Sequence, residues 1–264
     1  KELERLMAIH SVHISSSMDI LEIGAAEGAA TYQLASKKPK SILGSDYSMY
    51  RVNQSISNKG VNKLLEFENQ HIDKIRKTIG NSFDKDISNR VSFIDDDICN
   101  SKINSESKDL ILSWETLEHI QNPQNAFREM FRILKPGGFA FHQYNPFFSF
   151  NGGHSFCTLD FMWGHVRLSE TEFERYLIQF RPKEHKVAMK FYRSNLNRMT
   201  LNKLNTAIQK SGFERIMFFP HIYFQNYFEI TEMIYADCKK NYPTIELIDL
   251  VSPAIYIGLK KPLI

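Results

Sequence analysis

Three carboxylates stand where they could bind an adenosine-bearing ligand. Glu22 lies in a short apolar stretch two residues before Gly24, and Asp46 ends a second such stretch 22 residues after that glycine. Asp97 follows a third apolar stretch. A carboxylate that ends a second strand can accept hydrogen bonds from both ribose hydroxyls, and one after a third strand can accept from an adenine amino group. The spacing therefore indicates a nucleoside site.

The glycine-bearing residues 24–28 match neither common phosphate-binding motif. The dinucleotide motif would need glycine at positions 26 and 29, which are both alanine, and a P-loop would need a lysine after Gly28. Three carboxylates would repel a polyphosphate but would tolerate a positive charge. S-adenosylmethionine carries a sulfonium, an ammonium, a ribose and an adenine but no phosphate. It is therefore the ligand that we predict, in preference to NAD.

Each of these features also has a purely structural explanation. Gly24 and Gly28 could serve only a tight turn between a strand and a helix, and Asp46 could cap the next helix. Asp97 belongs to a run of aspartates at 95–97 that could be a solvated acidic turn. The occurrence of all these residues in order, at successive strand ends, favours a binding site.

The elements that must position these residues alternate between strands and helices. The apolar patterns predict strands at 19–23, 41–45, 91–97, 109–114, 139–144, 215–219 and 254–259, and helices at 26–36, 48–80, 122–134 and 201–213. This alternation is typical of right-handed βαβ units and a mostly parallel sheet. Two long stretches, 145–200 and 221–250, lie outside that pattern.

The composition excludes several classes of protein. The chain has 264 residues, 42% hydrophobic and 24% charged, which is ordinary for a globular protein, and its net charge of +3 is too small to argue for nucleic acid. Its three cysteines have no CxxC spacing, so we expect neither a disulfide framework nor a zinc site. We see no membrane-span-length apolar run and no signal peptide, and we expect a cytoplasmic protein.

These motifs, in this order, resemble the class I S-adenosylmethionine-dependent methyltransferases, in the branch that acts on small molecules. The matching stretches cover roughly residues 15–145 and 200–260, and the most specific part runs through Leu-Glu-His-Ile at 117–120 and Leu-Lys-Pro-Gly-Gly at 134–138. The resemblance implies one α/β domain over 1–264, with a Rossmann-like seven-stranded sheet between helices and an antiparallel last strand. The long distance from Asp46 to Asp97 predicts an extra helix around 60–80.

The resemblance also implies a role for each residue of the cofactor site. Glu22 and the turn formed by Gly24, Ala25, Ala26 and Gly28 would surround the methionine moiety, although the family usually has glycine at position 26. Asp46 would hold the ribose, Tyr47 would lie along the adenine, and Asp97 and Ile98 would flank it. Ser113 and Trp114 would close the pocket beside the sulfonium.

Four histidines are candidates for a general base. His119 belongs to the Leu-Glu-His-Ile motif, where packing at the start of a helix is the favoured explanation, and His142 on the fifth strand suits a core role. His154 and His165 lie in the 145–200 insertion, where an acceptor would dock. Methyl transfer requires no metal in principle, and we predict none.

The 145–200 insertion is predicted to be an acceptor-binding lid, with a smaller insertion at 221–250. It is rich in aromatic residues and arginines, which suit a sugar or an anionic glycan, and the Trp163-Gly164-His165 segment is placed nearest the acceptor. Residues 145–148, Asn-Pro-Phe-Phe, resemble the Asn-Pro-Pro-Tyr motif of nucleic-acid amino-methyltransferases. In those enzymes the motif ends the fourth strand, whereas here it follows the fifth. We therefore interpret Asn145-Pro146 as a turn that ends the strand.

Two other functions are weighed against a small-molecule or glycan methyltransferase. An RNA methyltransferase would show a dense basic stripe, whereas the lysines and arginines here are mixed with acids. A non-catalytic subunit of the same fold would have lost cofactor-binding acids, yet Glu22, Asp46 and Asp97 are all present.

Overall fold

A computed structural model describes residues 2–54 and 60–263, except for the side chains of residues 53 and 54. Its centre is one seven-stranded sheet with the strand order β3-β2-β1-β4-β5-β7-β6. The strands are β1 Asp19–Ile23, β2 Ser41–Asp46, β3 Val91–Asp95, β4 Lys108–Trp114, β5 Leu134–Tyr144, β6 Glu214–His221 and β7 Ala254–Lys260. All pairs among β1–β5 are parallel, whereas β7 runs antiparallel to both β5 and β6. The predicted Rossmann-like sheet is thus confirmed.

Helices cover both faces of the sheet. They are α1 Glu2–Ile9, α2 Ala29–Ala35, α3 Ser48–Gln54, α4 Val61–Gly80, α5 Lys85–Ser88, α6 Pro123–Ile133, α7 His154–Cys157, α8 Gly164–Arg167, α9 Glu170–Phe180, α10 His185–Ser194, α11 Leu201–Ser211, α12 Phe224–Glu229, α13 Glu232–Asn241 and α14 Leu247–Val251. Short 3₁₀ turns cover Ile98–Asn100 and Leu117–His119. Helix α4 is the predicted extra helix. Residues 55–59, which were predicted to be helical, lie outside the described residues.

Several sequence-based boundaries differ from the structure. Strand β3 ends at Asp95 rather than at 97, and the helix predicted over 48–80 is divided, because Gly60 has an extended backbone and α4 begins only at Val61. Helix α2 begins at Ala29 rather than at Ala26, because Ala26 and Gly28 both have positive φ angles that a helix cannot contain. Strand β5 begins at Leu134 rather than at Phe139, because Leu134 already pairs with β4 across an irregular register. Asn145-Pro146 does form a turn after β5, in which Ser149 N donates to Pro146 O at 3.0 Å.

The two stretches outside the βαβ pattern pack against each other. Large apolar side chains from residues 147–196 share one buried core with others from residues 234–250. We call residues 145–196 and 230–251 together the cap. The sequence analysis treated these stretches as two separate insertions, since no local pattern connects them.

Buried polar contacts attach the cap to the sheet domain. Asp249 is 2% exposed, and its two carboxylate oxygens accept from Leu201 N at 2.7 Å and Glu246 N at 2.8 Å. Just after the cap, the Asn197 side chain donates to Leu117 O at 2.6 Å and to Ile120 O at 2.8 Å.

Within the described part of the chain, no helix is long and apolar enough to cross a membrane.

Candidate active site

A cleft of about 760 Å³ opens at the carboxyl ends of β1, β2, β3 and β4. This is the edge of an open α/β sheet where ligands are expected. It is lined by Ile23, Gly24, Ala26, Glu27, Ser45, Asp46, Tyr47, Tyr50, Arg51, Ile72, Asp96, Asp97, Ile98, Cys99, Glu115, Thr116, His119, Ile120, Gln121, Asn122 and Ser194. Most of these residues directly follow a strand, and Ser194 comes from the cap.

The turn after β1 is fixed by its neighbours. Gly24 has a φ of +76°, and a Cβ added there would lie 2.2 Å from Thr116 Oγ1, so only glycine fits without movement. Arg76, from α4, donates from Nε and Nη2 to Ala26 O at 3.0 and 2.7 Å. Its guanidinium also lies 4.2 Å from the centre of the Phe93 ring. The extra helix therefore holds the turn in a left-handed conformation that alanine at position 26 disfavours.

Replacing Arg76 by alanine should loosen this turn. Two hydrogen bonds from a charged donor to Ala26 O are lost, which should weaken S-adenosylmethionine binding by about 1.5–3 kcal/mol. Isothermal titration calorimetry checks this, with Arg128→Ala on the exposed face of α6 as the matched control. Equal dissociation constants for Arg76→Ala and wild type would show that the turn keeps its shape without Arg76.

The walls of the cleft carry mainly negative charge. Asp46, Asp96, Asp97, Glu27 and Glu115 all line it. Asp97 Oδ1 accepts from Cys99 N at 2.9 Å, and Asp96 accepts from Ser101 Oγ at 2.6 Å and Lys102 N at 2.8 Å.

Among the described residues, one arginine and no lysine line this cleft, and that arginine is already paired. Arg51, five residues beyond Asp46, forms an ion pair with the Asp46 carboxylate. Because the acids outnumber this one lining arginine, the cleft suits a cationic ligand better than a polyphosphate.

The structure brings six of the predicted cofactor residues to the cleft. These are Gly24, Ala26, Asp46, Tyr47, Asp97 and Ile98. The others, Glu22, Ala25, Gly28, Ser113 and Trp114, are not among its lining residues.

Glu22 lies behind the turn and not in the cleft. It is 3% exposed, and its Oε2 accepts from Thr31 Oγ1 at 2.5 Å. Burial raises the pKa of Glu22 to about 7. Its contact with α2 supports the turn from below. Ala25 and Gly28 are also buried beside it.

Strand β4 ends at Trp114 as predicted, but the residues that line the cleft lie one or two positions beyond the predicted Ser113 and Trp114. Ser113 is fully buried and hydrogen-bonds to His142 Nδ1 at 2.8 Å, while Trp114 packs with the core beneath α1 and α2. Side chains alternate along a strand, so these two residues point to the two faces of the sheet. Glu115 and Thr116, just after the strand, line the cleft instead.

The four histidines have different surroundings. His142 and His165 are completely buried, and burial lowers their pKa values to about 3 and about 4. His165 Nε2 donates to Phe147 O at 2.8 Å, which makes it part of the cap core rather than a residue facing an acceptor. Trp163, 1% exposed, likewise donates its indole N–H inside the cap, to Leu250 O at 3.2 Å.

His119 and His154 lie together at the junction of the cleft and the cap. His119 lines the cleft, and its ring centre is 4.9 Å from that of His154 and 4.8 Å from that of Tyr50. Burial lowers the pKa of His119 to about 4 and raises that of the neighbouring Glu118 to about 8. Burial therefore favours the neutral form of both the His119 and the Glu118 side chains.

Several lining residues were missed by sequence reasoning. Arg51 and Tyr50 follow β2 within one helical turn, a position that could have suggested them. Ile72 comes from the middle of α4 and Ser194 from the end of α10. No local motif marks these two, because tertiary packing alone brings them to the cleft.

Comparison with known proteins agrees with this geometry. A family model described as "Methyltransferase domain" matches residues 1–216. No curated protein matches the sequence.

Solved structures share the fold at low sequence identity. An S-adenosylmethionine-dependent methyltransferase from Mesorhizobium loti is 10% identical with a TM-score of 0.56, covering 98% of this chain and 97% of its own. A sarcosine dimethylglycine methyltransferase structure from Galdieria sulphuraria is 13% identical with a TM-score of 0.54, covering 99% and 84%.

A third similar structure contains the expected cofactor. Phosphoethanolamine N-methyltransferase 2 from Haemonchus contortus, in complex with S-adenosyl-L-methionine, is 15% identical with a TM-score of 0.51, covering 99% of this chain and 52% of its own. Since the family model covers more than half of the sequence, the chain belongs to the methyltransferase-domain family, and S-adenosylmethionine is its expected cofactor.

Proposed function

We propose that this methyltransferase transfers the methyl group of S-adenosylmethionine to a hydroxyl or amine group of a small molecule or a glycan. The observation that carries the proposal is the acidic cleft, in which Asp46 and Asp97 stand at the ends of β2 and β3 beside the tight turn after β1. The bound cofactor supplies a methyl group on a positively charged sulfur. We expect this to take place in the cytoplasm, because the three cysteines form no disulfide.

The residues of the cleft fit the parts of this cofactor. Asp46 would accept hydrogen bonds from the ribose, and Asp97, Ile98 and Tyr47 would surround the adenine. The turn at Gly24 and Ala26 would approach the methionine end. Gly24 favours such close approach, since it has no Cβ between its backbone and the cleft.

A second cavity offers a place for the acceptor. It has a volume of about 550 Å³, lies between the cap and the sheet domain, and shares Gln121 with the cofactor cleft. Arg198 lines it, and the Arg198 guanidinium lies 4.2 Å from the ring centres of both Phe147 and Tyr192. Arg193 also lines it but is paired with Glu170 and Glu174. Arginine beside aromatic rings suits an acceptor that carries a carboxylate or phosphate, such as an anionic sugar.

An amine acceptor is the second candidate within this class. The names of two structural neighbours, a sarcosine dimethylglycine methyltransferase and a phosphoethanolamine N-methyltransferase, describe amines that also carry an acidic group. Such acceptors would use the same arginine, Arg198. Turnover assays that measure S-adenosylhomocysteine release, with acidic sugars in one panel and acidic amines in the other, separate the two candidates.

Calorimetric titration of the purified chain tests the cofactor. We expect S-adenosylmethionine to bind and NAD not to bind. Asp46→Ala should weaken S-adenosylmethionine binding by about 1.5–3 kcal/mol, because a charge-assisted contact with the ribose is lost. Asp84→Ala is the control, since Asp84 is exposed and its side chain caps no helix. The proposal would be contradicted if the protein bound NAD but not S-adenosylmethionine. It would also be contradicted if a folded Asp46→Ala protein bound S-adenosylmethionine with an unchanged dissociation constant.

A further inference from the structure

A cluster of three potential metal ligands lies where the cofactor cleft meets the cap. Glu118, His119 and His154 each present one ligand atom, and these atoms all lie within 4.8 Å of one another. Glu118 and His119 belong to the 3₁₀ turn after β4, and His154 begins α7 of the cap. Because His119 lines the cleft, an ion bound here would lie beside it.

Two atoms of the cluster have unmet bonding capacity. The Glu118 side chain is completely buried; its Oε1 accepts from Asn145 N at 3.3 Å, and its Oε2 has no hydrogen-bond partner among the described residues. In the same part of the chain, buried His154 Nε2 has no hydrogen-bond partner either and lies 3.9 Å from Glu118 Oε1. Buried polar atoms without partners are rare and costly, so this pair requires an explanation.

The tautomer of His119 leaves one ring nitrogen with a lone pair for an ion. Its Nδ1 lies 2.7 Å from Asn195 O, and since a carbonyl can only accept, Nδ1 carries the proton. The lone pair is then on Nε2. Asn195 is in turn fixed by its Nδ2, which donates to Tyr50 O at 3.0 Å. Metal-binding histidines usually donate their second nitrogen to a carbonyl or carboxylate in this way.

Two of the seven described non-glycine residues with a positive φ angle lie at or next to this cluster. His154 has a φ of +54°, and Glu115, an exposed carboxylate of the cleft, has a φ of +48°. Non-glycine residues in this conformation cost free energy and cluster at functional sites.

We propose that Glu118, His119 and His154 bind a divalent transition-metal ion, with Zn²⁺ as the primary candidate. Three atoms no more than 4.8 Å apart all lie within 4.8/√3, or about 2.8 Å, of a common point. Bonds of about 2.0–2.2 Å to nitrogen and oxygen need inward movements of under about 0.8 Å, within reach of small side-chain rotations. Two imidazoles and one carboxylate are the ligands of open Zn²⁺ and Fe²⁺ sites, whereas Mg²⁺ prefers oxygen ligands alone.

The proposal changes the sequence-based prediction, which included no metal. His154 lies 35 residues beyond His119 in a segment without recognisable periodicity, so only the fold reveals their proximity. If the proposed function also holds, on which this step rests, the ion specifies the acceptor. An ion with open positions would bind an acceptor hydroxyl and lower its pKa, so that the hydroxyl proton leaves to solvent. The alkoxide oxygen would then form the new bond to the cofactor's methyl carbon while the carbon–sulfur bond breaks and S-adenosylhomocysteine leaves. A neutral amine already has a free lone pair and would lose it by binding the ion, so the ion favours a hydroxyl acceptor.

Metal binding can be measured directly on the full chain. The protein is stripped with EDTA and titrated calorimetrically with Zn²⁺, Co²⁺ and Mg²⁺. We expect one Zn²⁺ and one Co²⁺ site per chain, visible d–d absorption from Co²⁺, and much weaker Mg²⁺ binding. In ¹⁵N–¹H spectra of the histidine rings, Zn²⁺ should shift the signals of His119 and His154. This measurement needs no variant and is independent of whether a variant folds.

Substitutions identify the ligands. Glu118→Gln keeps the side-chain volume and an oxygen that can accept from Asn145 N. The double variant Glu118→Gln/His154→Ala should lower Zn²⁺ affinity by at least ~100-fold. Loss of a residue that only hydrogen-bonds to a metal ligand already costs up to that much. Exposed His221→Ala is the control and should bind Zn²⁺ as wild type does. Absence of Zn²⁺ and Co²⁺ binding, or binding that survives in the folded double variant, overturns the proposal. Titration of the stripped protein with S-adenosylmethionine tests the proposed function separately, because that titration needs no metal.

Discussion

Gly24→Ala should be among the most damaging single substitutions in this chain, although it adds one methyl group. The new Cβ would lie 2.2 Å from Thr116 Oγ1 and 2.8 Å from Thr116 Cγ2. Alanine at a φ of +76° costs about 1–2 kcal/mol, and overpacking adds about 1–3 kcal/mol. We expect the free energy of unfolding to fall by about 2–5 kcal/mol and S-adenosylmethionine binding to weaken, as measured by denaturant titration and calorimetry.

A double-mutant cycle separates the two contributions to this loss. Thr116→Ala removes both atoms that the new methyl group meets first, so it should recover about 1–3 kcal/mol in the Gly24→Ala background. The remaining loss is backbone strain together with the 3.0 Å contact to the Cβ of residue 116, which alanine keeps. Gly60→Ala is the control, because a Cβ there meets no atom within 4 Å. A coupling energy near zero would mean that the turn moves away from Thr116 freely.

Trp163→Ala should destabilise the protein by about 3–5 kcal/mol, the range for removing a buried large aromatic side chain. Trp163 is 1% exposed, packs edge-on against Phe150 and donates its indole N–H to Leu250 O. The sequence analysis placed this residue near the acceptor, where its loss would lower turnover in a stable protein. Chemical denaturation of wild type and variant gives the difference in unfolding free energy.

Two further variants make this comparison specific. Trp163→Phe keeps most of the volume but leaves Leu250 O without its indole donor, so about 1–3 kcal/mol should be lost. Phe228→Ala, at a position 76% exposed, should change stability by less than about 0.5 kcal/mol. Unchanged stability in Trp163→Ala together with reduced turnover would return Trp163 to an acceptor-binding role.

The strand-end positions were predictable from sequence because they depend on local patterns. Apolar runs ending at Asp46 and before Asp97 fix where β2 and β3 stop, and a parallel sheet brings those ends to one edge. The direction in which each side chain points was harder to predict from the sequence. Glu22 and Ser113 sit within strands whose both faces are covered, so hydrophobicity alone does not show which neighbour points into the cleft.

The cap could not be predicted in the same way. Its aromatic residues were recognised as a group, but whether Trp163 and His165 face a ligand or a core depends on residues such as Leu250, some 90 positions away. His119 was favoured as a packing residue and does contact the backbone of Asn195, yet it also lines the cleft. One side chain thus has both roles that the sequence presented as alternatives.

The division of the cap core between residues 147–196 and 234–250 has a consequence for how the chain folds during synthesis. Strands β1 to β4 emerge first, and all of their mutual pairings can form once β4 is released. The cap core, by contrast, cannot close until the ribosome has released α13 and α14, and the antiparallel β7 enters between β5 and β6 later still. Contacts between residues that are distant in sequence form slowly, and the apolar surface that they will bury stays exposed until then. The aromatic side chains of residues 147–173 therefore stay exposed in the nascent protein until residues 234–250 are released, and a chaperone that covers them would limit aggregation.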